Sequence, residues 1–171
     1  MLKKLFIITL LITKLAYSNT QLVGGFGFSS INTPVLGENN IAAKTIFTGI
    51  ENHYLVNETD TLLVSALVSS TKGSGINYLD EIELQIGFQK TLNLRHYVTV
   101  GFHLTHLLNE NFDNIQLAGA GFGLNLGYAY QVTPSMALNV QLYSNAYDLA
   151  SDSTANLNVH TFRSFISIYP K

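Results

Sequence analysis

Short stretches in which polar and apolar residues alternate fill most of this chain, and this period of two constrains the fold more than any other feature. The clearest example reads Glu81-Ile82-Glu83-Leu84-Gln85-Ile86-Gly87-Phe88-Gln89-Lys90, with one apolar face and one mostly polar face. Such alternation predicts a β-strand with two unlike faces. After residue 18 no apolar stretch approaches the length of a transmembrane helix, about 20 residues. The remaining chain can therefore span a membrane only as a closed barrel.

The first 18 residues have the pattern of a secretory signal peptide. Lys3 and Lys4 precede an apolar run at 5–12, and Ala16-Tyr17-Ser18 supplies small residues at the −3 and −1 positions of a cleavage site. We predict a cleavable signal peptide at 1–18 and one β-barrel domain at 19–171. Three of the 9 Lys and Arg residues lie in the leader, which leaves 6 against 11 Asp and Glu and a net charge of −5. This balance excludes the basic footprint of a nucleic-acid-binding protein.

Turn-forming residues divide the mature chain into eight predicted strands. These strands lie near 20–30, 41–55, 61–70, 81–90, 97–107, 115–130, 136–147 and 158–169. The gaps alternate between short ones around 57–60, 92–96 and 133–135 and longer ones at 31–40, 71–80, 108–114 and 148–157. Short turns at one end and longer loops at the other are typical of outer-membrane barrels, whose short turns face the periplasm. Both termini would then be periplasmic.

Strand parity predicts which side chains face the lumen. Glycine occupies every second position of one face in 119–127, and an inward glycine face leaves room for bulky or charged neighbours. An eight-stranded interior is just wide enough to be filled by side chains. We therefore predict a polar network that plugs the lumen, with Arg163 paired to Glu51 or Glu83. The predicted inward polar residues are Glu51, His53, Glu83, Gln85, Gln89, His103, Gln141 and Arg163.

Tyrosines near strand ends predict a membrane-interface girdle, because the ring favours lipid while the hydroxyl favours water. Beside the short turns, the predicted members are Tyr54, Tyr128, Tyr130 and Tyr169; Tyr78, Phe112, Tyr143 and Tyr147 are candidates for the opposite girdle. The alternative is that these rings fill the core at the strand ends. His103 and His106 fall on opposite faces of their strand, and the sequence predicts no metal site and no cofactor. With no cysteine, the chain also lacks disulfides.

A glycine-rich strand, a short Thr-Pro turn and a further alternating strand occupy residues 121–138. This segment resembles the small eight-stranded outer-membrane β-barrel superfamily that includes the OmpA-type transmembrane domain and OmpX-like proteins. The resemblance implies a closed, antiparallel, up-and-down transmembrane barrel in a Gram-negative cell envelope. It also implies outer-membrane lipids and the barrel-insertion machinery as partners. Members typically end on an aromatic residue, whereas here Tyr169 is followed by Pro170 and Lys171.

One short motif raises the question of catalysis. Outer-membrane lipid A deacylases carry a His-Tyr-Ser-Asn stretch, and this chain has Tyr143-Ser144-Asn145 at the equivalent place with Leu142 where the histidine would stand. Ser144 is thus a candidate nucleophile without an adjacent base, and such a serine reacts weakly.

The sequence favours a non-enzymatic outer-membrane barrel with a structural or surface-interaction role. An extracellular ligand would bind through the four longer loops, since the barrel is too narrow for general solute passage. Two alternatives stay open. One is a lipid A-modifying, deacylase-like enzyme or an inactive relative of one. The other is a soluble periplasmic lipocalin-like lipid binder, whose apolar faces would point inward.

Overall fold

The computed structural model describes residues 19–32, 40–112, 116–150 and 152–169, so the predicted signal peptide lies outside the described residues. Eight antiparallel strands lie within these ranges, each paired with the next, and β1 also pairs with β8 to close the barrel. This confirms the predicted fold. The strands are β1 (Asn19–Asn32), β2 (Ile41–Leu55), β3 (Asp60–Gly73), β4 (Ile76–Asn93), β5 (His96–Glu110), β6 (Leu117–Thr133), β7 (Met136–Leu149) and β8 (Asp152–Ile168). No helix in the described ranges is long and apolar enough to cross a membrane.

The apolar faces of the strands point away from the barrel axis. Ile46 is 67% exposed and Leu124 61% exposed, whereas the inward residues Glu83 and Arg163 are 0% and 1% exposed. A continuous outer surface of large apolar side chains requires a partner phase other than water. This orientation is the reverse of the one that the lipocalin-like alternative needs, so the structure contradicts that alternative.

The three short turns are where the alternation predicts them. They connect β2 to β3, β4 to β5 and β6 to β7. Asn19 pairs with His53 and Ile168 pairs with Met136, so the first and last strands begin and end beside these turns. We call this the short-turn end of the barrel and the other the opposite end.

Two of the four longer loops predicted for the opposite end are not present. β3 continues to Gly73 and β4 begins at Ile76, so residues 71–80 form a tight hairpin. Its two turn residues, Ser74 and Gly75, have φ values of 52° and 83°, as a type I′ turn requires. Residues 148–157 likewise belong mostly to β7 and β8. Gly73, Asn77 and Asn156, which contributed to the loop predictions, lie in strands that continue past the apolar band. The predicted gaps at 31–40 and 108–114 fall partly outside the described residues.

The barrel interior at the opposite end is filled by apolar side chains. Ile31, Leu79 and Leu157 are completely buried there, and Tyr147 is 1% exposed. The buried members of this apolar cap are Ile31, Ala43, Leu79, Leu117, Tyr147, Leu149, Leu157 and Val159. Inward-facing apolar groups at the end of the strands bury one another as a soluble core does. The cap therefore separates the deeper interior from that end of the barrel.

Candidate functional site

A buried ion pair crosses the middle of the barrel. Arg163 on β8 donates from Nη1 to Glu83 Oε2 at 2.8 Å and from Nη2 to Oε1 at 2.7 Å, which joins β8 to β4 on the far wall. Gln85 adds a hydrogen bond from Nε2 to Glu83 Oε2 at 3.1 Å. A two-pronged guanidinium–carboxylate pair has both strength and fixed geometry. Of the two partners predicted for Arg163, the structure selects Glu83.

Aromatic rings enclose the guanidinium of Arg163. The Tyr143 ring lies 3.7 Å from its central carbon and the Phe47 ring lies 4.8 Å away. On its other side Tyr143 stacks on His103, with ring centroids 3.8 Å apart and planes 14° apart. The ring faces attract the cation while excluding water from it. We call Phe47, Arg163, Tyr143, His103 and Glu83 the central stack.

Glycine at position 123 makes the central stack possible. A Cβ built there would collide with the Ser144 carbonyl oxygen and with Nε2 of His103. A Cβ added at Gly127, on the same face of β6, would lie 3.5 Å from the Val140 carbonyl oxygen, so this position has room for a methyl group. The predicted role of the inward glycines therefore applies at Gly123, where the missing side chain leaves room for His103.

A second polar group lies nearer the short-turn end. Glu51 Oε1 is 2.7 Å from His53 Nε2, and its Oε2 accepts a hydrogen bond from Ser65 at 2.8 Å. The Gln21 amide nitrogen also lies beside the His53 ring, 2.7 Å from Nε2 and 3.1 Å from Nδ1. Glu51 thus pairs with His53, two residues along its own strand, and is not the partner of Arg163.

The remaining predicted inward residues also face the interior. Gln141 is 8% exposed and is the register neighbour of Arg163. Gln89 lines a small inner cavity of about 20 Å³ together with Glu51 and Gln141. That volume is near the minimum for one water molecule. Hydroxyl groups form a further belt between the central stack and the apolar cap, joined by contacts of 2.6 to 2.9 Å through Thr161, Ser29, Thr45 and Thr71.

Of the four tyrosines predicted for the short-turn girdle, three lie at outward positions of their strands and one lies at an inward position. Tyr128 is 40% exposed on the outer face, and Tyr54 and Tyr130 are half-buried at outward positions. Tyr169 follows the inward parity of β8, and its ring contacts His53 with centroids 6.0 Å apart. Tyr169 therefore lies with the inner residues.

The opposite girdle is not formed as predicted. Tyr143 and Tyr147 are 3% and 1% exposed and lie inside the barrel. Tyr78 and Phe112 stack on each other against the apolar cap. The alternation along β7 could have shown this, because Tyr143 and Tyr147 lie on the same strand face as the inward residue Gln141.

On the outer surface of β7, Ser144 has a histidine neighbour that its own strand does not supply. Ser144 and His160 are register partners on β7 and β8. Ser144 Oγ lies 3.0 Å from His160 Nδ1, and both residues are exposed at the edge of the apolar band. The neighbouring strand thus supplies a histidine within hydrogen-bonding distance of the serine. Among the described residues no group of three or more His, Asp or Glu side chains could hold a metal ion.

An eight-stranded closed barrel with an apolar exterior and a polar interior defines the class of small transmembrane β-barrels. No protein-family model matches the chain, and the search of curated proteins found no match. Among solved structures, Neisserial surface protein A (NspA) is 17% identical, with 90% of this chain and 98% of that chain covered and a TM-score of 0.59. Ail, the attachment invasion locus protein of Yersinia pestis, is 10% identical, with 87% and 96% covered and a TM-score of 0.51. At these identities the likeness is one of fold.

Proposed function

We propose that this protein is an integral outer-membrane barrel with a structural or surface-interaction role, and that a polar network closes its lumen. The observation that carries the proposal is the Arg163–Glu83 pair, which crosses the interior with both groups almost completely buried. A conducting pore needs continuous water, whereas this pair is enclosed by rings. The apolar cap adds a second barrier above it.

The same proposal fixes the orientation of the chain. Residues 1–18 are a signal peptide removed on export, and both ends of the mature chain face the periplasm with the short turns. The opposite end then faces outward, and an extracellular ligand would bind at this end, where the β3–β4 hairpin lies. The apolar exterior contacts outer-membrane lipids, and insertion requires the barrel-insertion machinery.

Electrical recording tests the closed lumen. Protein refolded in detergent is added to a planar lipid bilayer, with the heat-dependent gel shift of a folded barrel as proof that the sample is intact. We expect no stepwise conductance at any protein concentration. Steps that increase in number with added protein would contradict the proposal, provided that a boiled sample produces none.

We propose ester hydrolysis on the barrel exterior as a second candidate function, because Ser144 Oγ lies 3.0 Å from His160 Nδ1 at the edge of the apolar band. In this reaction Ser144 Oγ attacks the carbonyl carbon of a lipid acyl ester while His160 accepts the serine proton. The alcohol leaves with that proton, and water then cleaves the acyl-serine to release the fatty acid. The exposed position lets a membrane lipid reach the serine from the side.

Mass spectrometry of lipid A from cells that make the protein tests this second function. We expect loss of one acyl chain with the natural sequence and none with Ser144→Ala or His160→Gln. Ser164→Ala is the matched control, since Ser164 lies at an outward-parity position of β8 between Phe26 and Val140. Unchanged lipid A with the natural sequence rejects the enzyme.

A further inference from the structure

Two lysines oppose each other on the outer surface near the opposite end of the barrel. Lys44 on β2 and Lys72 on β3 are direct register partners, and both are exposed at outward positions. We infer that this pair binds the phosphate of a phosphorylated lipid in the adjacent membrane leaflet. The inference rests on the proposed outer-membrane location, but not on the closed lumen or on ester hydrolysis.

The pair is costly unless an anion accompanies it. Like charges directly opposite each other on neighbouring strands destabilise a sheet. Asp80 lies close enough to interact with the charge of Lys72, but its carboxylate also accepts a hydrogen bond from Asn77 at 2.6 Å. Neither lysine forms an ion pair with another described residue. A phosphate between the two ammonium groups would turn repulsion into two charge-assisted contacts.

The surface beside the lysines has the shape and polarity for an acyl chain. A groove of about 560 Å³ runs between β2 and β3, with Lys44 and Lys72 in its lining beside Ile46, Val68 and Thr48. Ile46 and Val68 are among the exposed side chains of the apolar band. A second groove of about 390 Å³ shares both lysines and extends past Phe28 toward the β3–β4 turn. The lysines therefore lie where two grooves meet, at the edge of the apolar band.

This combination selects a lipid among phosphate-bearing ligands. A soluble phosphate would use the two ammonium groups and leave the apolar groove in contact with its surroundings. A phosphorylated lipid uses both, with its phosphate at the lysines and one chain along Ile46 and Val68. Lysines at a membrane interface reach the headgroup level with flexible apolar stems, and their charge attracts them to an anionic surface.

Binding to a defined lipid tests the inference. The barrel is refolded in micelles of a non-ionic maltoside detergent, which contains no phosphate, and binding of diphosphorylated lipid A and of an uncharged glycolipid with the same chains is measured by native mass spectrometry. We expect the phosphorylated lipid to bind at least about tenfold more tightly, and K44Q/K72Q to lose that preference. The matched control is Lys90→Gln, since Lys90 is an exposed outward lysine near the short-turn end of β4.

Equal binding of both lipids, or an equal loss in Lys90→Gln, overturns the paired phosphate site. Displacement of the lipid by millimolar inorganic phosphate, with inorganic phosphate alone binding as tightly, shows a soluble-anion site and overturns the lipid assignment. An unchanged heat-dependent gel shift of K44Q/K72Q shows that the variant is folded. Conductance is recorded separately, so failure of the closed lumen is distinguishable from failure of this inference.

Discussion

Arg163 and Glu83 each lie in the barrel interior, where among the described residues only the other supplies an opposite charge at hydrogen-bonding distance. Removing one partner of a buried ion pair leaves the other charged and unsolvated, which costs about 3–5 kcal/mol. We therefore expect Arg163→Met and Glu83→Met each to lower the free energy of unfolding by about that amount. Urea unfolding of barrels refolded in lipid vesicles, followed by tyrosine fluorescence, measures it.

The double variant Glu83→Met with Arg163→Met completes a double-mutant cycle, which measures the coupling between the two side chains. We expect it to lose much less stability than the two single variants together, since no uncompensated charge remains. Additive losses would show that the pair contributes no mutual stabilisation.

Gly123 and Gly127 offer a matched pair on one face of β6. We expect Gly123→Ala to destabilise the barrel by about 1–3 kcal/mol, because its methyl group would collide with the Ser144 carbonyl oxygen and with the His103 ring that stacks on Tyr143. The methyl group of Gly127→Ala would lie at ordinary van der Waals distances from its neighbours, so this variant should leave the free energy of unfolding unchanged or raise it. The same urea titration compares them. Equal effects at the two positions would contradict a specific role for the space beside Gly123.

At the scale of elements, the β3–β4 hairpin depends on two residues with positive φ. Ser74 is a non-glycine residue at φ 52°, and Gly75 has φ 83°. We expect Gly75→Ala to cost about 1–2 kcal/mol through backbone strain. Ser74→Asn should instead add a few tenths of a kcal/mol, since Asn-Gly is the preferred type I′ pair. Thermal unfolding in detergent distinguishes the two, and a stabilising Gly75→Ala would contradict this turn.

At the scale of the whole molecule, stability in detergent depends on the pairing of β1 with β8. Ser164 pairs with Phe26 of β1 and with Val140 of β7, so it lies inside this closing ladder. We expect the natural protein to migrate differently with and without boiling in detergent. Ser164→Pro should abolish the shift, since proline removes a ladder hydrogen bond, whereas Ser164→Ala should retain it. Retention of the shift in the proline variant would show that closure does not need this ladder.

The strands and their faces could be predicted because the period of two is a local property. Ile82, Leu84 and Ile86 face outward and Glu83 faces inward, as alternation alone requires. The same rule places Gln141 and Arg163 inside. Closure and strand order followed because an apolar outer face without long helices leaves a barrel as the form that satisfies its backbone in a membrane.

Contacts between distant strands could not be predicted, because they depend on register. Arg163 and Glu83 are 80 residues apart, and a shift of one strand would exchange one set of partners for another. Ser144 acquires His160 only through the register between β7 and β8, which neither strand specifies by itself. Local composition does not distinguish polar residues in a loop from polar residues on a strand that continues past the membrane.

The sequence by itself therefore determined the number of strands, their inner and outer faces and the short-turn end, since each follows from local alternation and turn chemistry. Only the tertiary structure decided that Glu83 is the partner of Arg163, that Tyr143 and Tyr169 face inward and that Lys44 opposes Lys72. The physical reason is that a closed barrel fixes its register through all strand pairs at once. No single strand carries that information.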